Sequence, residues 1–199
     1  KTTYAMEGSI FIAGAGVQWL RDRMKFFKKA PETEKIVKSL KSNNGIYLVP
    51  AFTGLGAPYW NANSRGVLSG ITRDTNPKEI VRATIEAVAY QTYDLFEAMK
   101  HDGLRPRIVK VDGGMVMNNW FSQFLSDVVN VKVLRPKVQE TTAAGAAFMA
   151  GLKIGVYKSL KDISKNWHLD RKFSPKMNSK KRNFLIEGWS TAIKRTLIN

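Results

Sequence analysis

Apolar residues recur at helical spacing in several stretches of the chain. The clearest stretch is residues 77–101, where apolar side chains repeat about every 3.6 positions and Asn76 and Pro77 give a start signal. Further helices are predicted over residues 13–29, 31–40, 118–129, 141–155 and 178–198. Each would turn an apolar face toward a core.

Short apolar runs between these helices predict strands. They cover residues 2–12, 46–49, 67–71, 107–111 and 131–136. Strand and helix alternate from residue 104 to 155, which indicates parallel pairing in an α/β layer fold. A loop over residues 50–66 is long enough to suggest a function, but its Tyr59 and Trp60 favour a rigid surface loop pinned by aromatic side chains.

The chain is strongly basic. Its 32 lysines and arginines against 16 aspartates and glutamates give a net charge of +16, which is compatible with nucleic acid, a membrane surface or an anionic substrate. Much of this charge follows residue 157, without a nucleic-acid-binding motif or an aromatic stacking platform. A lysine-rich solvated surface is therefore favoured and no nucleic acid partner is expected. A nucleic-acid binder that uses the charged tail stays an alternative.

Other features of the composition exclude several classes. No apolar run approaches the roughly 18 residues of a membrane span, and "AAGAAFMAGL" predicts a buried helix instead. The absence of cysteine excludes disulfides and thiolate-bound metals and fits a cytoplasmic protein. His101 and His168 are isolated, which does not favour a histidine metal site. Because the chain begins at Lys1 within a strand pattern, it is expected to be part of a longer protein.

Two glycine-rich junctions between a strand and a helix are candidate ligand sites. In "FIAGAGVQW", two glycines precede Gln18, whose amide could recognise a base or a phosphate. In "VDGGMVMNNW", two glycines follow Asp112 and precede a helix led by Asn118 or Asn119. Glycines permit close approach of a ligand to the backbone, and a helix start offers free N–H groups. An anion or nucleotide site and a plain turn with close packing both stay open.

The remaining candidates are weaker. Neither junction contains the Gly-Lys-Ser/Thr of a Walker loop or a G-x-G-x-x-G fingerprint. The small residues of "TTAAGAA" favour close helix-on-sheet packing over a third ligand contact. Asp112 could be a general base, but a single carboxylate at a strand end is more often a turn ligand.

Five segments in order resemble the carboxy-terminal half of the FGGY carbohydrate kinases. They are "AMEGSIFIAGAGVQWLRD", "VPAFTGLGAPYW", "SRGVLSGITRDTNPKEIVRATIEAVAYQT", "VDGGMVMNNWFSQFLSDV" and "ETTAAGAAFMAGL". The segment from Gly66 to Glu86 resembles the second signature of the family, and "PAFTGLGAPYW" resembles its glycerol kinases in particular. The similarity covers nearly the whole chain and is weakest after about residue 157. It implies an α/β, ribonuclease H-like (actin-type ATPase) domain, whose mixed sheet is flanked by helices and lacks its first strands.

The resemblance also implies which residues meet a nucleotide. The glycine and glutamine of "AGAxxQ", which contact ATP in these kinases, match Gly14 and Gln18. The second glycine of "DGG" and the asparagine four residues later match Gly114 and Asn118. The expected cofactors are ATP or ADP with Mg²⁺ that is held mainly through the nucleotide, and no metal ligand is expected in this chain. Met115 replaces a residue that is commonly alanine, so it would either crowd the nucleotide or point into the core.

The expected domain is a carboxy-terminal nucleotide-binding domain over residues 1–199, with a core over residues 1–157 and a charged tail and terminal helix over residues 158–199. The parent protein would be a cytoplasmic, homo-oligomeric kinase that converts ATP and glycerol into ADP and glycerol 3-phosphate. The catalytic base and most glycerol contacts are expected upstream of Lys1, so this chain alone would be inactive. Another sugar kinase of the family and a non-catalytic nucleotide-binding module are the alternatives.

Overall fold

The computed structural model describes residues 4–198, which form seven α-helices and five strands. The helices are α1 (Gly14–Asp22), α2 (Glu32–Lys38), α3 (Pro77–His101), α4 (Asn119–Val129), α5 (Thr141–Lys153), α6 (Leu160–Ser164) and α7 (Ser179–Leu197). The strands are β1 (Tyr47–Val49), β2 (Val67–Ser69), β3 (Ile108–Lys110), β4 (Lys132–Pro136) and β5 (Leu169–Phe173). A single 3₁₀ turn, Gly114–Met117, precedes α4.

The strands form two small sheets. Strands β1 and β2 are antiparallel. In the other sheet β4 is central, parallel to β3 and antiparallel to β5, so this sheet is mixed. The parallel pair β3–β4 confirms the pairing that the alternation of strands and helices predicted. Strand β5 was not predicted, because its middle three residues are charged and only Phe173 is buried. An edge strand of this kind carries no apolar alternation to reveal it.

Helix α3 is the centre of the fold. Its start is the capping box that the sequence indicated: the Asn76 side chain accepts a hydrogen bond from the backbone N–H of Lys78, and Glu79 accepts one from the backbone N–H of Asn76. Every residue from 81 to 90 is buried. Helices α1, α2 and α4 and strand β1 all contact α3, so it is covered on several sides, unlike a surface helix.

A polar network lies inside this core. The Arg82 guanidinium and the Glu86 carboxylate, one helical turn apart, form a buried ion pair with Nε and Oε1 at 2.7 Å. Asn43 and Tyr90 donate to the other oxygen of Glu86 at 3.0 and 3.2 Å. Burial raises the pKa of Glu86, while these donors oppose the rise. The network connects α3 to the turn before β1 through the hydrogen bond from Asn43.

The amino-terminal segment differs from the prediction of a strand over residues 2–12. Its described part, residues 4–12, forms no strand. The contacts of its backbone are isolated: Ser9 accepts from the backbone N–H of Ala57, and Ile12 accepts from the Gln91 side chain. A strand requires a row of hydrogen bonds to a neighbouring strand, and no strand lies beside residues 4–12 in the part of the chain that the structure describes.

Two helices also differ from their predictions. Helix α1 ends at Asp22 and not at residue 29, because Lys25 adopts a left-handed backbone with φ of 58° that cannot continue a helix. Helix α5 has the predicted position but is not a buried helix, since Gly151 is its one buried residue. No helix within residues 4–198 combines the length and the apolar character needed to cross a membrane.

Candidate nucleotide site

A cavity of about 330 Å³ lies among the starts of α1, α2 and the 3₁₀ turn before α4. All four residues that the resemblance implied, Gly14, Gln18, Gly114 and Asn118, line this cavity. They come from two segments about a hundred positions apart in the sequence, which the fold brings together. The remaining lining residues are Val17, Arg21, Ala30, Pro31, Thr33, Glu34, Ile85, Met115 and Met117.

The two glycines of "DGG" differ in what the structure requires of them. Gly113 has φ of 82°, a conformation that strongly favours glycine, and its N–H donates to the backbone oxygen of Gln139. Gly114 has no such backbone, and a Cβ added there would meet no atom within 4 Å. The same is true of Gly14. Neither the backbone nor packing requires glycine at these two positions, so their effect is to leave open space beside the cavity.

Helix α1 presents its amino-terminal end to the cavity. It begins at Gly14, and the preceding Ala13 has no side chain that could cap it. The first turn of a helix leaves backbone N–H groups without partners inside the helix, and the helix dipole makes this end positive. Together with the open space over Gly14, this arrangement suits an anionic ligand that approaches the main chain closely.

Asn118 connects two walls of the cavity. It is the N-cap of α4, where its Oδ1 accepts a hydrogen bond from the backbone N–H of Phe121 at 3.0 Å. Its Nδ2 lies 3.4 Å from the Thr33 hydroxyl on α2. The choice that the sequence left between Asn118 and Asn119 as the leading residue is therefore settled: α4 starts at Asn119 with Asn118 as its cap.

Two charged residues line the cavity that the sequence did not indicate. Arg21 lies one helical turn after Gln18, so helical spacing could have found it. Glu34 is on α2 and reaches the cavity through the packing of α2 against α3 and α4. Burial opposes the charge of Glu34, but the Lys38 ammonium at 2.6 Å and hydrogen bonds from Asn119 outweigh burial and lower the pKa of this carboxyl. The cavity thus has one cation and one anion on its lining.

The floor of the cavity is apolar. Val17 and Ile85 are buried core residues that also line it. Met115 packs against the core and also lines the cavity. The sequence left open whether it crowds the ligand or points into the core, and it contacts both regions. Apolar walls with a few polar groups are typical of small-molecule sites, and such a floor can cover a planar ring.

Several features that the sequence singled out are not part of this cavity. Asp112 is exposed, and neither it nor any residue of α5 is among the lining residues, so "TTAAGAA" contributes no wall. In the loop over residues 50–66, the Tyr59 hydroxyl donates to the Asp94 carboxylate at 2.8 Å, which pins the loop to α3 as predicted. Trp60 is mostly exposed and has an edge contact with Phe11.

Metal ligands are not assembled in this region. Within residues 4–198, no three His, Cys, Asp or Glu side chains lie close enough together to hold an ion. Glu34 is the one carboxylate on the cavity lining, and it is paired with Lys38. These residues do not fit a protein-held Mg²⁺ site, because such sites use one or two carboxylates that are free to face the metal together with substrate phosphates.

The chain is similar to known kinases over most of its length. The family model for the "FGGY family of carbohydrate kinases, C-terminal domain" matches residues 1–154. Glycerol kinase 1 of Pseudomonas aeruginosa is 55% identical over 195 residues, which cover 98% of this chain and 40% of that protein. The glycerol kinase of Gluconobacter oxydans is 50% identical over 198 residues, which cover 99% of this chain and 39% of that protein. The chain thus spans about 40% of the length of the curated relatives that it matches.

Solved structures share the fold. The crystal structure of Plasmodium falciparum glycerol kinase with ADP superposes with a TM-score of 0.84 at 36% identity and covers 96% of this chain and 38% of that one. The ligand-bound xylulose kinase of Lactobacillus acidophilus has a TM-score of 0.77 at 22% identity and covers 94% of this chain and 38% of that one. These similarities confirm the α/β, actin-type ATPase fold that the resemblance implied.

Proposed function

Because the chain belongs to the FGGY family of carbohydrate kinases, we propose that it is the nucleotide-binding part of an ATP-dependent glycerol kinase. The parent enzyme would transfer the γ-phosphoryl group of ATP to a hydroxyl of glycerol and release ADP and glycerol 3-phosphate. The relatives named glycerol kinase, at 50 to 55% identity, support glycerol as the substrate over the other sugars of the family. The observation that carries the nucleotide assignment is the open space over Gly14 and Gly114 in one cavity.

The proposed role of each wall follows from its chemistry. The open glycines would let the nucleotide approach the backbone, and the uncapped start of α1 favours the negative charge of phosphates. The apolar floor would cover the base. The Gln18 amide can both donate and accept hydrogen bonds, which suits recognition of a base or a ribose. Asn118 already uses one hydrogen bond at each end of its amide, and its second N–H is the group left for the ligand. Arg21 lies on the same helix face as Gln18, but its guanidinium is paired with Asp22 at 2.7 Å, so it would have to exchange that partner to contact a phosphate.

The chemical step needs groups that we do not assign to this chain. Phosphoryl transfer depends on positioning and on charge neutralisation, and bound Mg²⁺ supplies part of that neutralisation at the phosphates. We propose that Mg²⁺ arrives with the nucleotide, and that the catalytic base and most glycerol contacts belong to the part of the enzyme that this chain does not span. On its own the chain is therefore expected to bind nucleotide without transferring phosphate to glycerol.

Nucleotide binding to the chain with Gly114 replaced by Val tests this proposal. The valine side chain would fill the open space, so we expect the affinity for ADP, measured by isothermal titration calorimetry, to fall by at least about tenfold. Gly145→Val is the matched control, because Gly145 also faces open space but lies on α5, away from the cavity. Equal ADP affinity in the two variants would contradict the assignment of the cavity.

The same variant distinguishes the two substrates in the full-length enzyme. Gly114→Val should raise the KM for ATP more than the KM for glycerol, because the cavity is assigned to the nucleotide alone. A rise confined to the KM for glycerol would show that the cavity has another ligand. Glycerol-dependent ADP production by the isolated chain, measured with a coupled assay, would show that the catalytic groups lie within residues 1–199.

A further inference from the structure

A second cavity, of about 310 Å³, lies at the carboxy-terminal end of α2, beside α3, α4 and the start of α7. We propose that it binds a small phosphomonoester, at a site independent of the nucleotide. The two cavities share no lining residue. This anion cavity is lined by Lys38 at the end of α2 and residues 40–43 after it, by Arg82 on α3, by α4 as far as Asp127, and by Met177 and the first two turns of α7. The side chains that carry the proposal are those of Lys41, Arg82, Trp120 and Lys181.

Arg82 offers a fixed donor to this cavity. Its side chain is only 8% exposed; Nε donates to Glu86 at 2.7 Å and Nη1 to the backbone oxygen of Leu40 at 2.6 Å. Its third nitrogen, Nη2, has no acceptor among residues 4–198. In the same range, every fully enclosed side-chain nitrogen has a hydrogen-bond partner. Nη2 is thus the guanidinium nitrogen left for a ligand in the cavity that Arg82 lines. Although Glu86 balances the charge of this guanidinium, its remaining N–H groups can still donate to an anionic oxygen.

The position of this donor is set before any ligand arrives. The guanidinium carbon of Arg82 lies 4.9 Å from the centre of the Trp120 ring, and Trp120 stacks on Phe124 with ring centres 4.9 Å apart and planes 10° apart. Because Glu86, Leu40 and Trp120 all hold the guanidinium, little side-chain freedom is lost when an anion binds. Preorganisation of this kind improves affinity by lowering the entropic cost of binding.

The rim of the cavity adds positive charge. Lys41 and Lys181 form no ion pair within the described range, while Lys38 is held by Glu34. Asp127 is the one acid on the lining; its Oδ1 accepts from Gln123 and from two backbone N–H groups, which hold the carboxylate in place. Lys38 and Arg82 are already paired with Glu34 and Glu86, so Lys41 and Lys181 are the two cations left to balance an anion, against the single carboxylate of Asp127.

The shape of the cavity selects the class of anion. A volume of about 310 Å³ holds a small molecule but not a nucleic-acid strand, whose phosphates would need an extended groove. Leu40, Met177 and Leu185 supply apolar walls that an inorganic ion would leave unused. A phosphate monoester meets both requirements, because its phosphoryl group can reach Arg82 and the lysines while its organic part contacts the walls.

Binding of phenyl phosphate and of inorganic phosphate to the nucleotide-free chain, measured by calorimetry at constant ionic strength, tests the proposal. We expect saturable binding of phenyl phosphate, with inorganic phosphate weaker because it does not use the walls. The double variant Lys41→Gln/Lys181→Gln should bind phenyl phosphate at least about tenfold more weakly. The control double variant Lys158→Gln/Lys161→Gln removes the same charge from exposed positions that line neither cavity. It should change the affinity for phenyl phosphate less than twofold.

The outcomes that overturn the proposal are distinct. Equal weakening in the two double variants would mean a general attraction to this basic chain, and phosphate that binds as tightly as phenyl phosphate would exclude a phosphomonoester site. Phenyl phosphate should quench tryptophan emission in the parent chain but much less in Trp120→Phe, which keeps the aromatic stack; unchanged quenching would place the ligand elsewhere. Loss of binding in Gly114→Val would assign the ligand to the nucleotide cavity, whereas retained binding there supports an independent site.

Discussion

Asp94 connects three parts of the fold through one carboxylate oxygen. The Tyr59 hydroxyl, in the loop over residues 50–66, and the Trp189 indole N–H, on α7, both donate to its Oδ2, at 2.8 and 2.6 Å. Burial raises the pKa of Asp94 from 3.8 to about 6, although the hydrogen bonds from Trp189 and Tyr59 act in the opposite direction. In the folded chain this side chain therefore keeps its proton to a higher pH than in the unfolded chain.

The sign of the effect on stability follows from this difference. Below pH 3.8 the carboxyl is protonated in both states, and its effect on stability is fully favourable. As the pH rises toward 6, the unfolded chain loses the proton first, so the free energy of unfolding falls. At about 1.36 kcal/mol for each pH unit, a rise of roughly two units in pKa corresponds to a loss of at most about 3 kcal/mol.

Asp94→Asn tests this reasoning, since asparagine keeps the shape of the side chain and one oxygen that can accept both hydrogen bonds. The free energy of unfolding of this variant, measured by urea denaturation between about pH 3.5 and about pH 7, should not show the decrease that ionisation of Asp94 causes in the parent chain. The variant should therefore gain up to about 3 kcal/mol relative to the parent chain over that range. Asp102→Asn, at an exposed position, controls for loss of a negative charge. Parallel curves for Asp94→Asn and the parent chain would refute the assignment.

Three further substitutions test other parts of the fold and of the site. Glu86→Ala leaves the buried Arg82 without its ion-pair partner, so urea denaturation should show a loss of about 3–5 kcal/mol, and a loss below about 1 kcal/mol would contradict the network. Gly113→Ala forces a side chain into a left-handed backbone and should cost about 1–2 kcal/mol in the same assay; an unchanged midpoint would argue against that conformation. Asn118→Ala removes the cap of α4 and should cost about 1 kcal/mol, while Asn118→Asp should retain the cap; equal losses in both variants would rule out capping by Oδ1.

The elements that the sequence predicted well are those whose signals are local. The start of α3 depends on Asn76, Pro77 and Glu79, which are close in sequence, and its length follows from a continuous apolar period. Strand β5 and the segment over residues 4–12 depend on their neighbours instead. The charged β5 is a strand because β4 lies beside it, and residues 4–12 have strand-like alternation without a strand to pair with.

The same distinction applies to the candidate site. Gly14, Gln18, Gly114 and Asn118 belong to short motifs, and a resemblance of motifs was enough to group them at one cavity. Glu34 could not be found in that way, because α2 carries no motif and reaches the cavity only through its packing. The difference between Gly113 and Gly114 was also invisible in the sequence, since it depends on a backbone angle and on the empty space above each residue.

The burial of α3 sets the order in which backbone amides should exchange with deuterated solvent. Helices α1 and α2, which line the candidate nucleotide cavity, and helix α4, whose cap Asn118 lines it, all contact α3. Their inner amides are therefore protected by the same core and should exchange only when most of the fold opens. Helix α5, with Gly151 as its one buried residue, lacks this support and should exchange through local opening. We therefore expect the candidate cavity to belong to the slowest-exchanging unit of the chain, so that a ligand bound there would stabilise the whole unit at once.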